Sequence, residues 1–556
     1  MGDLEHVHAR PVVRKTRRAP NYENVADALK KVYKTDEQEA ADGLAEDEYT
    51  GPPPEPFTIQ EFQLAMKAMA KGRCADRFGV TLEMFLQTGP ALHQRLLHLL
   101  NSILAGGGLP DNWRETFFIL LPKPGANSEE NAWRPIALLS TSYKIFARIF
   151  YNRIRQQLDK QQSHEQYGFR QRRSTTHALL VFEELVSKSL EWNAPLFIIS
   201  LDLRKAFDRL EQPALFRALR RQGLDPAYVD LLQRLYQGQD GKVKENRRFP
   251  ITRGVRQGDV LSPLLFNAVL EEAVSEWKRR LRFEGVALTG DEADERLTNI
   301  RYADDLLVFA KSMPEAIRML DILVQVLRES GLELNVSKTK ILSTTEVPAG
   351  ESYIETENGF IEHVHANGSH KYLGRKFPGM LRERGAVAVQ HRVSCAWAKF
   401  RELQDSLVNK HVDVRLRLKL FDAAVSASAL YSLDTCPITA SQLKKLDAVQ
   451  NRMLRRIVGW VSFEDEPWEE IGRRMKVRLQ RALALHPVSR WSDRIHNSKV
   501  GILNKVSRDE APPLTCCALS WHLPACAPLN AVPHIPAPHR VQGRPFIRWL
   551  DLVRPN

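Results

Sequence analysis

Residues 299–311, NIRYADDLLVFAK, place adjacent aspartates inside an apolar run with the composition of a buried strand. Asp304 and Asp305 come directly before the apolar segment LLVFA. Burying unpaired carboxylates is strongly unfavourable. The stretch therefore predicts either a surface turn between two strands or a site where a divalent cation balances the charges.

A second acidic position lies about a hundred residues upstream. Asp202 interrupts, near its end, an apolar run that is typical of a strand buried on both faces and consists of Phe197, Ile198, Ile199, Leu201 and Leu203. An amphipathic helix is predicted to begin near Asp208, which is placed to cap it. If this strand lies beside the 299–311 hairpin, the three carboxylates converge on two Mg²⁺ ions about 3.5–4 Å apart. Adjacent aspartates also suit a tight turn, because they tolerate left-handed backbone conformations.

A glycine-rich loop stands between the two acidic motifs. It is the start of RGVRQGDVLSPLLFNAVLEE, residues 253–272, and it leads into a predicted helix. Gly254 and Gly258 allow the backbone to approach a ligand closely, and Gln257 offers an amide that both donates and accepts. A flexible helix cap would explain the glycines, but it would not explain the order of the three motifs, which suits a polymerase palm.

At this point the sequence resembles the reverse transcriptases of non-LTR (LINE-type) retrotransposons. The resemblance covers residues from about 56 to 460. It consists of seven blocks in the family's order: NAWRPIALLSTSYKIFARIFYNRI, EQYGFRQRRSTTHALL, SLDLRKAFDRL, GVRQGDVLSPLLFNAVLE, IRYADDLLVFA, GLELNVSKTKIL and KYLGRKF. The number of blocks and their order make the match specific.

The resemblance implies an α+β right-hand polymerase with fingers, a palm with an antiparallel sheet and a helical thumb, followed by an irregular C-terminal tail. The first helix is predicted after Thr58, which forms a capping box with Glu61. The expected domains are a polar flexible leader at 1–55, fingers at 56–195, palm at 196–385, thumb at 386–475 and a tail of uncertain fold at 476–556.

By match to the family's motifs, Asp202, Asp304 and Asp305 form the metal site, with Asp202 and Asp304 as the surer ligands. The cofactor implied is a pair of Mg²⁺ ions, for which Mn²⁺ can substitute. Lys338 resembles the lysine that neutralises or protonates pyrophosphate. Lys340 is a rival for this role, and a solvent-facing lysine is the alternative for either position.

Five further residues match positions that bind the nucleotide or the template. Phe207 stands where the family places the side chain that excludes a 2′-hydroxyl, although it could equally be a buried aromatic that holds helix to strand. Gln257 and Gly258 are expected to line the incoming nucleotide and the template. Arg134 and Arg170 lie in finger motifs whose cations hold triphosphate or template, with a simple charge pair as the alternative for each.

Beyond the palm, Tyr372–Gly374 resembles the turn that grips the primer end. Residues 388–460 have helical periodicity, with Leu446, Met453 and Ile457 among the residues on one face. Six cations of these helices could follow the backbone of a nucleic-acid duplex, although a solvated helix face would carry similar charges. They are Arg392, Lys399, Arg401, Arg415, Arg417 and Lys419.

The sequence departs from the family pattern at several positions. Arg172 stands where the family often has glycine, and Val260 stands where proline is usual. The Cys and His residues near the C-terminus lack the spacing of a zinc knuckle. They are Cys516, Cys517, His522, Cys526 and His534.

The composition agrees with a nucleic-acid partner. The 556 residues carry a net charge of +13, with 80 Lys and Arg against 67 Asp and Glu, which suits a polyanion. The sequence shows neither a secretory signal nor a long apolar stretch, so no membrane partner is expected. The expected location is intracellular, in the nucleus or in a cytoplasmic ribonucleoprotein. The 55 residues before the resemblance begins are too few and too polar for the endonuclease that many such elements carry.

The function that the sequence predicts is an RNA-directed DNA polymerase that adds dNTPs to a primer 3′-hydroxyl on an RNA template. Its partners would be the template RNA, a DNA primer or target, dNTPs and, in a ribonucleoprotein, its own encoding RNA. Two alternatives remain open. One is a non-catalytic RNA-binding relic of such an enzyme, and the other is an intron maturase-like or retron-like reverse transcriptase.

Overall fold

A computed structural model describes most of the chain. The described residues are 22–34, 49–123, 133–243, 248–287, 296–345, 352–461, 463–508 and 510–520. They form two compact units, each assembled from separate stretches of the chain. The first unit comprises residues 1–160 and 205–269, and the second comprises 161–204 and 270–556. These units divide the chain differently from the predicted fingers, palm and thumb, whose boundaries stay predictions.

Helices account for most of the regular structure. In chain order they are α1 (Tyr22–Tyr33), α2 (Ile59–Ala68), α3 (Leu82–Gln87), α4 (Pro90–Leu104), α5 (Asp111–Arg114), α6 (Thr141–Lys160), α7 (Thr175–Glu191), α8 (Ala206–Arg209), α9 (Gln212–Arg221), α10 (Pro226–Tyr236), α11 (Ser262–Arg280), α12 (Met313–Arg328), α13 (Arg384–Glu402), α14 (Gln404–Leu407), α15 (Val414–Leu420), α16 (Ala427–Leu430), α17 (Ala440–Val458), α18 (Trp468–Leu485), α19 (Trp491–Ser507) and α20 (Pro513–Ser520). The capping box predicted at the start of α2 is confirmed, since Thr58 and Glu61 bond each other's backbone amides. No helix in the described part of the chain has both the length and the apolar composition to cross a bilayer.

The strands form three sheets. They are β1 (Glu115–Pro122), β2 (Trp133–Leu138), β3 (Phe197–Leu201), β4 (Gln239–Lys242), β5 (Arg248–Ile251), β6 (Asn299–Tyr302), β7 (Asp305–Ala310), β8 (Lys340–Ser343), β9 (Tyr353–Thr356), β10 (Gly359–His363), β11 (Ser369–Tyr372) and β12 (Arg375–Pro378). The first unit contains the sheet β2-β1-β4-β5. The second unit contains the sheet β6-β7-β3-β8-β10-β9 and the hairpin β11-β12.

The six-stranded sheet has an apolar core. Ile198 and Leu307 pack with Phe182 of α7, and all three side chains are almost completely buried. The central strands are apolar on both faces, as the sequence predicted for the segment before Asp202. The sheet is antiparallel except for the parallel pair β8–β10. The predicted α+β class is confirmed.

The leader contains a docked helix, so the expectation of a flexible segment at 1–55 is wrong for this part. On α1, the side chains of Val25, Leu29 and Tyr33 are buried. The Tyr33 ring stacks on Phe118 of β1 and Phe249 of β5, with ring centroids 5.4 and 6.2 Å away. The apolar stripe of α1 was present in the sequence but was hidden by the charged segments on either side of it.

The helices after the second sheet share one apolar core, as the periodicity of residues 388–460 predicted. Leu446, Met453 and Ile457 of α17 lie in this core. Two of the six cations proposed to follow a duplex are instead buried. Arg392 donates to the carbonyl of Gly374, and Arg417 donates to the carbonyls of Val412 and Ile457. For these two residues the duplex prediction is wrong, because their guanidinium groups are used within the protein.

The departures from the family pattern have visible consequences. Arg172 has a φ of +59°, a left-handed conformation that glycine adopts at lower cost, so the turn is kept without the glycine. The C-terminal tail was expected to be irregular, but Pro513–Ser520 forms the helix α20. The tail residues His522, Cys526 and His534 lie outside the described residues.

Candidate catalytic site

The register of β3 and β7 determines where the acidic motifs meet. The strands are antiparallel neighbours, as predicted, and their last pair joins Leu201 to Leu306. Asp202 leaves β3 one residue later, and Asp305 begins β7 one residue earlier. The two aspartates are therefore at the same edge of the sheet, although they are about a hundred positions apart in sequence.

The β6–β7 hairpin closes with a two-residue turn. Tyr302 pairs with Asp305, which leaves Ala303 and Asp304 in the turn. Ala303 has a φ of +59°, so the left-handed residue is the alanine and not an aspartate as the sequence suggested. This conformation costs an L-residue roughly 1–2 kcal/mol, so contacts around the turn must hold it. Asp304 follows the strained residue directly.

Asp202 is held by the segment that precedes β8. The side-chain amide of Asn335 donates to Asp202 Oδ2 at 2.8 Å, and the backbone amide of Asn335 donates to the Asp202 carbonyl at 2.8 Å. The backbone amide of Asp202 donates to Thr339 Oγ1 at 3.4 Å. Sequence reasoning missed Asn335, whose only signal was a carboxamide three residues before Lys338 in the block GLELNVSKTKIL. These bonds orient the carboxylate and leave part of it open to solvent.

The structure separates the two candidate lysines. The Lys338 ammonium lies 3.5 Å from Asp202 Oδ2, and its side chain is 67% exposed. Lys340 instead pairs with Glu362 at 2.6 Å, across the parallel strands β8 and β10. An exposed lysine beside the carboxylate can move towards a ligand, whereas the paired one would first have to break its ion pair. The geometry favours Lys338 over Lys340 for contact with pyrophosphate.

The Asp305 carboxyl group is affected by its acidic neighbours. Asp305 is open to solvent on one side, yet its pKa is raised to about 6. Partial burial at the strand ends is the first cause, and repulsion from Asp304 and then from Asp202 adds to it. A cation bound at this edge would remove the repulsion.

The donor set suits a hard divalent cation, because carboxylate oxygens are the ligands that Mg²⁺ prefers. The described residues nevertheless contain no cluster of three or more His, Cys, Asp and Glu side chains with the arrangement of a metal cage. Magnesium in nucleotidyl-transfer sites takes one or two carboxylates, and substrate phosphates complete its shell. Asp202 and Asp304 fit this second arrangement, in which the site is completed only with substrate.

The first unit contains four of the five residues expected around the nucleotide and template, all except Arg170. Asp208 was expected to cap a helix, but it lies within α8 and is buried. Its Oδ1 accepts hydrogen bonds from Tyr33 Oη at 2.6 Å and from Gln257 Nε2 at 2.8 Å. The amide of Gln257 is thus oriented by a buried carboxyl group. Tyr33 was missed from the sequence, because nothing in its own segment indicates a partner 175 residues away.

Phe207 and Gly258 have local roles that are compatible with their predicted ones. The Phe207 ring stacks on Phe266 of α11 with centroids 4.5 Å apart, and its side chain is half-buried. Gly258 has a φ of +107°, and a Cβ there would lie 3.1 Å from the carbonyl oxygen of Ala137. The glycine therefore allows the loop to pass close to β2. Phe207 serves as a packing aromatic, and a role in excluding a 2′-hydroxyl stays a prediction.

The two finger arginines differ in their contacts. Arg134 is exposed on β2, opposite Leu121 of β1. Arg170 lies in the second unit, and its guanidinium donates to the carbonyls of Ser163 at 2.6 Å and Gln166 at 3.3 Å. Arg170 thus stabilises its own loop. For both residues, the predicted contact with triphosphate or template stays a prediction.

The turn that resembles a primer grip joins β11 to β12. Leu373 and Gly374 have φ values of +43° and +75°. Tyr431 Oη donates to the Leu373 carbonyl at 2.9 Å, and Arg392 donates to the Gly374 carbonyl. Side chains from the helical region that follows the sheet therefore hold this turn in place.

Comparison with known proteins finds a matching family model and several relatives. Residues 121–377 match the family described as "Reverse transcriptase (RNA-dependent DNA polymerase)". The Pol polyprotein of the type-1 retrotransposable element R2 of Popillia japonica is 26% identical over 68% of this chain and 53% of its own length. An uncharacterised 149 kDa protein of transposon TX1 of Xenopus laevis is 28% identical over 51% of this chain and 22% of its own. The chain thus spans about half or less of the length of these relatives.

A third relative is the RNA-directed DNA polymerase from mobile element jockey of Drosophila funebris, 26% identical over 66% of this chain and 40% of its own. Among solved structures, telomerase from Candida albicans in complex with a fragment of telomeric RNA is 14% identical. It matches 71% of this chain and 63% of its own, with a TM-score of 0.36. Apo telomerase from Candida tropicalis is also 14% identical, over 77% and 73%, with a TM-score of 0.36.

Proposed function

We propose that this chain, whose residues 121–377 are a reverse transcriptase domain of the right-hand polymerase class related to those of non-LTR retrotransposons, copies RNA into DNA. It would add dNTPs to the 3′-hydroxyl of a primer paired with an RNA template. The observation that carries the proposal is the pairing of β3 with β7, which brings Asp202 to the same sheet edge as the Ala303–Asp304 turn.

Asp202 and Asp304 would hold two Mg²⁺ ions, or Mn²⁺ in their place, with Asp305 as a weaker third ligand. When bound, such ions supply two effects: they lower the pKa of the attacking hydroxyl and stabilise the charge of the leaving pyrophosphate. The protein's own contribution is orientation. Asn335 fixes the Asp202 carboxylate, so little reorganisation is needed when substrate arrives.

Lys338 has a second role in this proposal. Before substrate binds, its ammonium partly balances Asp202, 3.5 Å away. With cations and triphosphate bound, the exposed Lys338 side chain would be free to leave the carboxylate and contact the departing pyrophosphate. It would then donate a charge-assisted hydrogen bond, or a proton, to a phosphate oxygen.

Nucleotide and template recognition would use the remaining predicted residues. Phe207, packed on Phe266, would present a ring edge to the sugar and exclude a 2′-hydroxyl by steric conflict. Gln257 and Gly258 would line the nucleotide and the template, and Arg134 and Arg170 would contact phosphates. The partners would be an RNA template, a DNA primer or target, and the encoding RNA in a nuclear or cytoplasmic ribonucleoprotein. The net charge of +13 favours binding of this kind and predicts that it weakens with added salt.

Primer extension on an RNA template with dNTPs and Mg²⁺ tests the proposal. The purified chain is expected to extend a DNA primer. Asp304→Asn should abolish extension while RNA binding, measured at fixed salt on a filter, stays within about twofold, because one distant carboxyl adds little to phosphate contacts. Normal extension by this variant would overturn the site assignment.

A second candidate is a non-catalytic RNA-binding relic. Its support is the net charge of +13, which suits RNA binding with or without catalysis. The same two assays separate the candidates. A relic would bind RNA on the filter but would not extend a primer with Mg²⁺ or Mn²⁺, and Asp304→Asn would change neither result.

A further inference from the structure

The catalytic turn is supported by a segment that lies far from it in sequence. Residues 165–168, EQYG, run beside the edge strand β6 in a parallel bridge centred on Gln166 and Arg301. The Arg301 amide donates to the Glu165 carbonyl at 2.9 Å, and the Tyr167 amide donates to the Arg301 carbonyl at 2.8 Å. The segment therefore extends the sheet at the hairpin that carries Asp304.

The side chain of Gln166 reaches from this segment to the turn. It is completely buried, with 0% exposure. Its Oε1 accepts a hydrogen bond from the backbone amide of Ala303 at 3.2 Å and another from that of Gly168 at 2.8 Å. Ala303 is the left-handed residue of the turn, so Gln166 binds the backbone amide of the strained residue itself. A single oxygen thus links the strained residue to the neighbouring loop.

Gly168 allows the backbone of residues 165–168 to lie close to the catalytic turn. A Cβ at this position would lie 2.2 Å from the backbone nitrogen of Ala303, which no side chain can accommodate without a shift of the turn. The glycine is needed here for space, because its φ is not in the left-handed range. Gln166 and Gly168 therefore act on the same peptide group of the catalytic turn.

Residues 165–168 and the adjacent strand β6 are themselves held by two ion pairs and a hydrogen bond to helices. Glu165 pairs with Lys278 of α11 at 2.5 Å. Arg301, fully buried, pairs with Glu271 of the same helix at 2.9 Å. The Tyr167 hydroxyl hydrogen-bonds Thr515 of α20 at 3.2 Å. The oxygen of Gln166 thus has a defined position, which is a condition for a side chain that sets the geometry of another group.

We propose that Gln166 is a positioning residue that holds the Ala303–Asp304 turn in its left-handed conformation and so sets the position of the Asp304 carboxylate relative to Asp202. The inference rests on the proposed function only in that Asp304 binds the cation. Gln166 touches neither carboxylate in the described contacts, so its effect is transmitted through the backbone of the turn.

The direct test is amide hydrogen exchange in the metal-free protein. Gln166→Met keeps the length and volume of the side chain but removes the acceptor. Amides in the peptide covering 299–305 should then exchange about tenfold faster, the factor expected when one buried hydrogen bond is lost. Gln450→Met is the matched control, because Gln450 is also buried and accepts a backbone amide, that of Trp491, at 3.0 Å. That control should leave the 299–305 peptide unchanged.

Binding of Mn²⁺, followed by electron paramagnetic resonance, gives a second readout that does not need catalysis. Gln166→Met should weaken Mn²⁺ binding by about tenfold if a misplaced Asp304 costs about one ligand contact. Gln166→Glu keeps the accepting oxygen and, when protonated, the shape of the amide, so it should restore most of the affinity. If Gln166→Met is poorly folded by circular dichroism, Gln166→Asn, which keeps the amide but shortens its reach, replaces it.

The outcomes distinguish this inference from the proposed function. Faster exchange and weaker Mn²⁺ binding in Gln166→Met, with Gln450→Met unchanged, would support positioning even if the wild-type chain failed to extend a primer. Unchanged exchange at 299–305 in a folded Gln166 variant would overturn positioning even if the wild-type chain were an active polymerase. Equal effects of the two methionine substitutions would also overturn it, because they would indicate general loss of stability.

Discussion

The two units contain aspartates in opposite settings. In the first unit, Asp208 is 3% exposed, bonded by Tyr33 and Gln257, and Asp259 is 6% exposed, bonded by Tyr143 Oη at 2.5 Å. Their pKa values are raised, chiefly by burial. In the second unit, Asp202 is partly exposed, and its side-chain partners among the described residues are Asn335 and the exposed Lys338.

The difference shows which carboxylates are available for chemistry. A carboxyl group enclosed by a tyrosine hydroxyl and an amide has its acceptor positions used within the protein, and removing it leaves those donors unpaired. At the β3–β7 edge, Asp305 is repelled by Asp304 and Asp202, and both Asp202 and Asp305 are open to solvent in part. We therefore expect the first kind to contribute to stability and the second to contribute to catalysis, and each prediction below tests that division.

The largest effect is expected at the open site. Asp202→Asn should lower the rate of primer extension by about a thousandfold or more, because a metal ligand supplies several kcal/mol of transition-state stabilisation. The unfolding midpoint should stay the same or rise, since a repelling charge is removed. If the variant instead loses folded protein, and activity falls only in proportion to the folded fraction, Asp202 would be a structural carboxylate.

The reverse result is expected at Asp208. Asp208→Ala should reduce the free energy of unfolding of the first unit by about 2–3 kcal/mol, because it leaves the Tyr33 hydroxyl and the Gln257 amide buried without their acceptor. Urea denaturation measures the change. Adding Tyr33→Phe to this variant should recover part of the loss, and a double variant less stable than either single change would contradict the hydrogen-bonded pair.

The same comparison between an open and an internally paired side chain can be made with Lys338 and Lys340. Lys338→Met should slow extension by about tenfold to a hundredfold, the range for loss of a positioned acid or cation. Lys340→Met, which breaks the pair with Glu362, should leave the extension rate within about twofold and affect stability by about 1 kcal/mol or less. Single-turnover extension measures both rates, and equal losses would show that the two lysines are not distinguished by their pairing.

The smallest effect concerns pH. Asp305 has a pKa of about 6 in the cation-free protein, so it binds a proton below that pH and releases it above. A cation competes with this proton. The affinity for Mn²⁺ should therefore rise by up to about tenfold from pH 5 to pH 7 and then level off. Asp305→Asn should flatten this rise. An affinity that is independent of pH in the unmodified chain would mean that Asp305 does not face the cation.

The sequence predicted the parts of this site whose signals are local. The apolar run before Asp202 and the paired aspartates after Tyr302 indicated strands, and their adjacency is confirmed. The side chains that hold Asp202 and the catalytic turn could not be predicted from the sequence, because only the tertiary structure brings them to their partners. Asn335 is 133 positions from Asp202, and Gln166 is 137 positions from Ala303. Nothing in the local pattern of either residue distinguishes it from a surface amide.

The errors have a similar origin. Arg392 and Arg417 look in sequence like any cation on an amphipathic helix, and only the packed structure shows that backbone carbonyls use their guanidinium groups. The helix α1 was missed because charged segments flank it, although Tyr33 has a specific place in the first unit. Patterns of polarity locate a helix face, whereas the partner that a charged side chain finds depends on distant parts of the chain.

The central claim is that Asp202 and Asp304 together bind the cations of a polymerase. The most direct measurement is a crystal structure with primer–template, an incoming nucleotide analogue and Mn²⁺, in which anomalous scattering locates the metal. We predict two Mn²⁺ peaks at the β3–β7 edge, with carboxylate oxygens of Asp202 and Asp304 about 2.1 Å from them. Mn²⁺ bound elsewhere, or bound without the Asp202 carboxylate, would contradict the account.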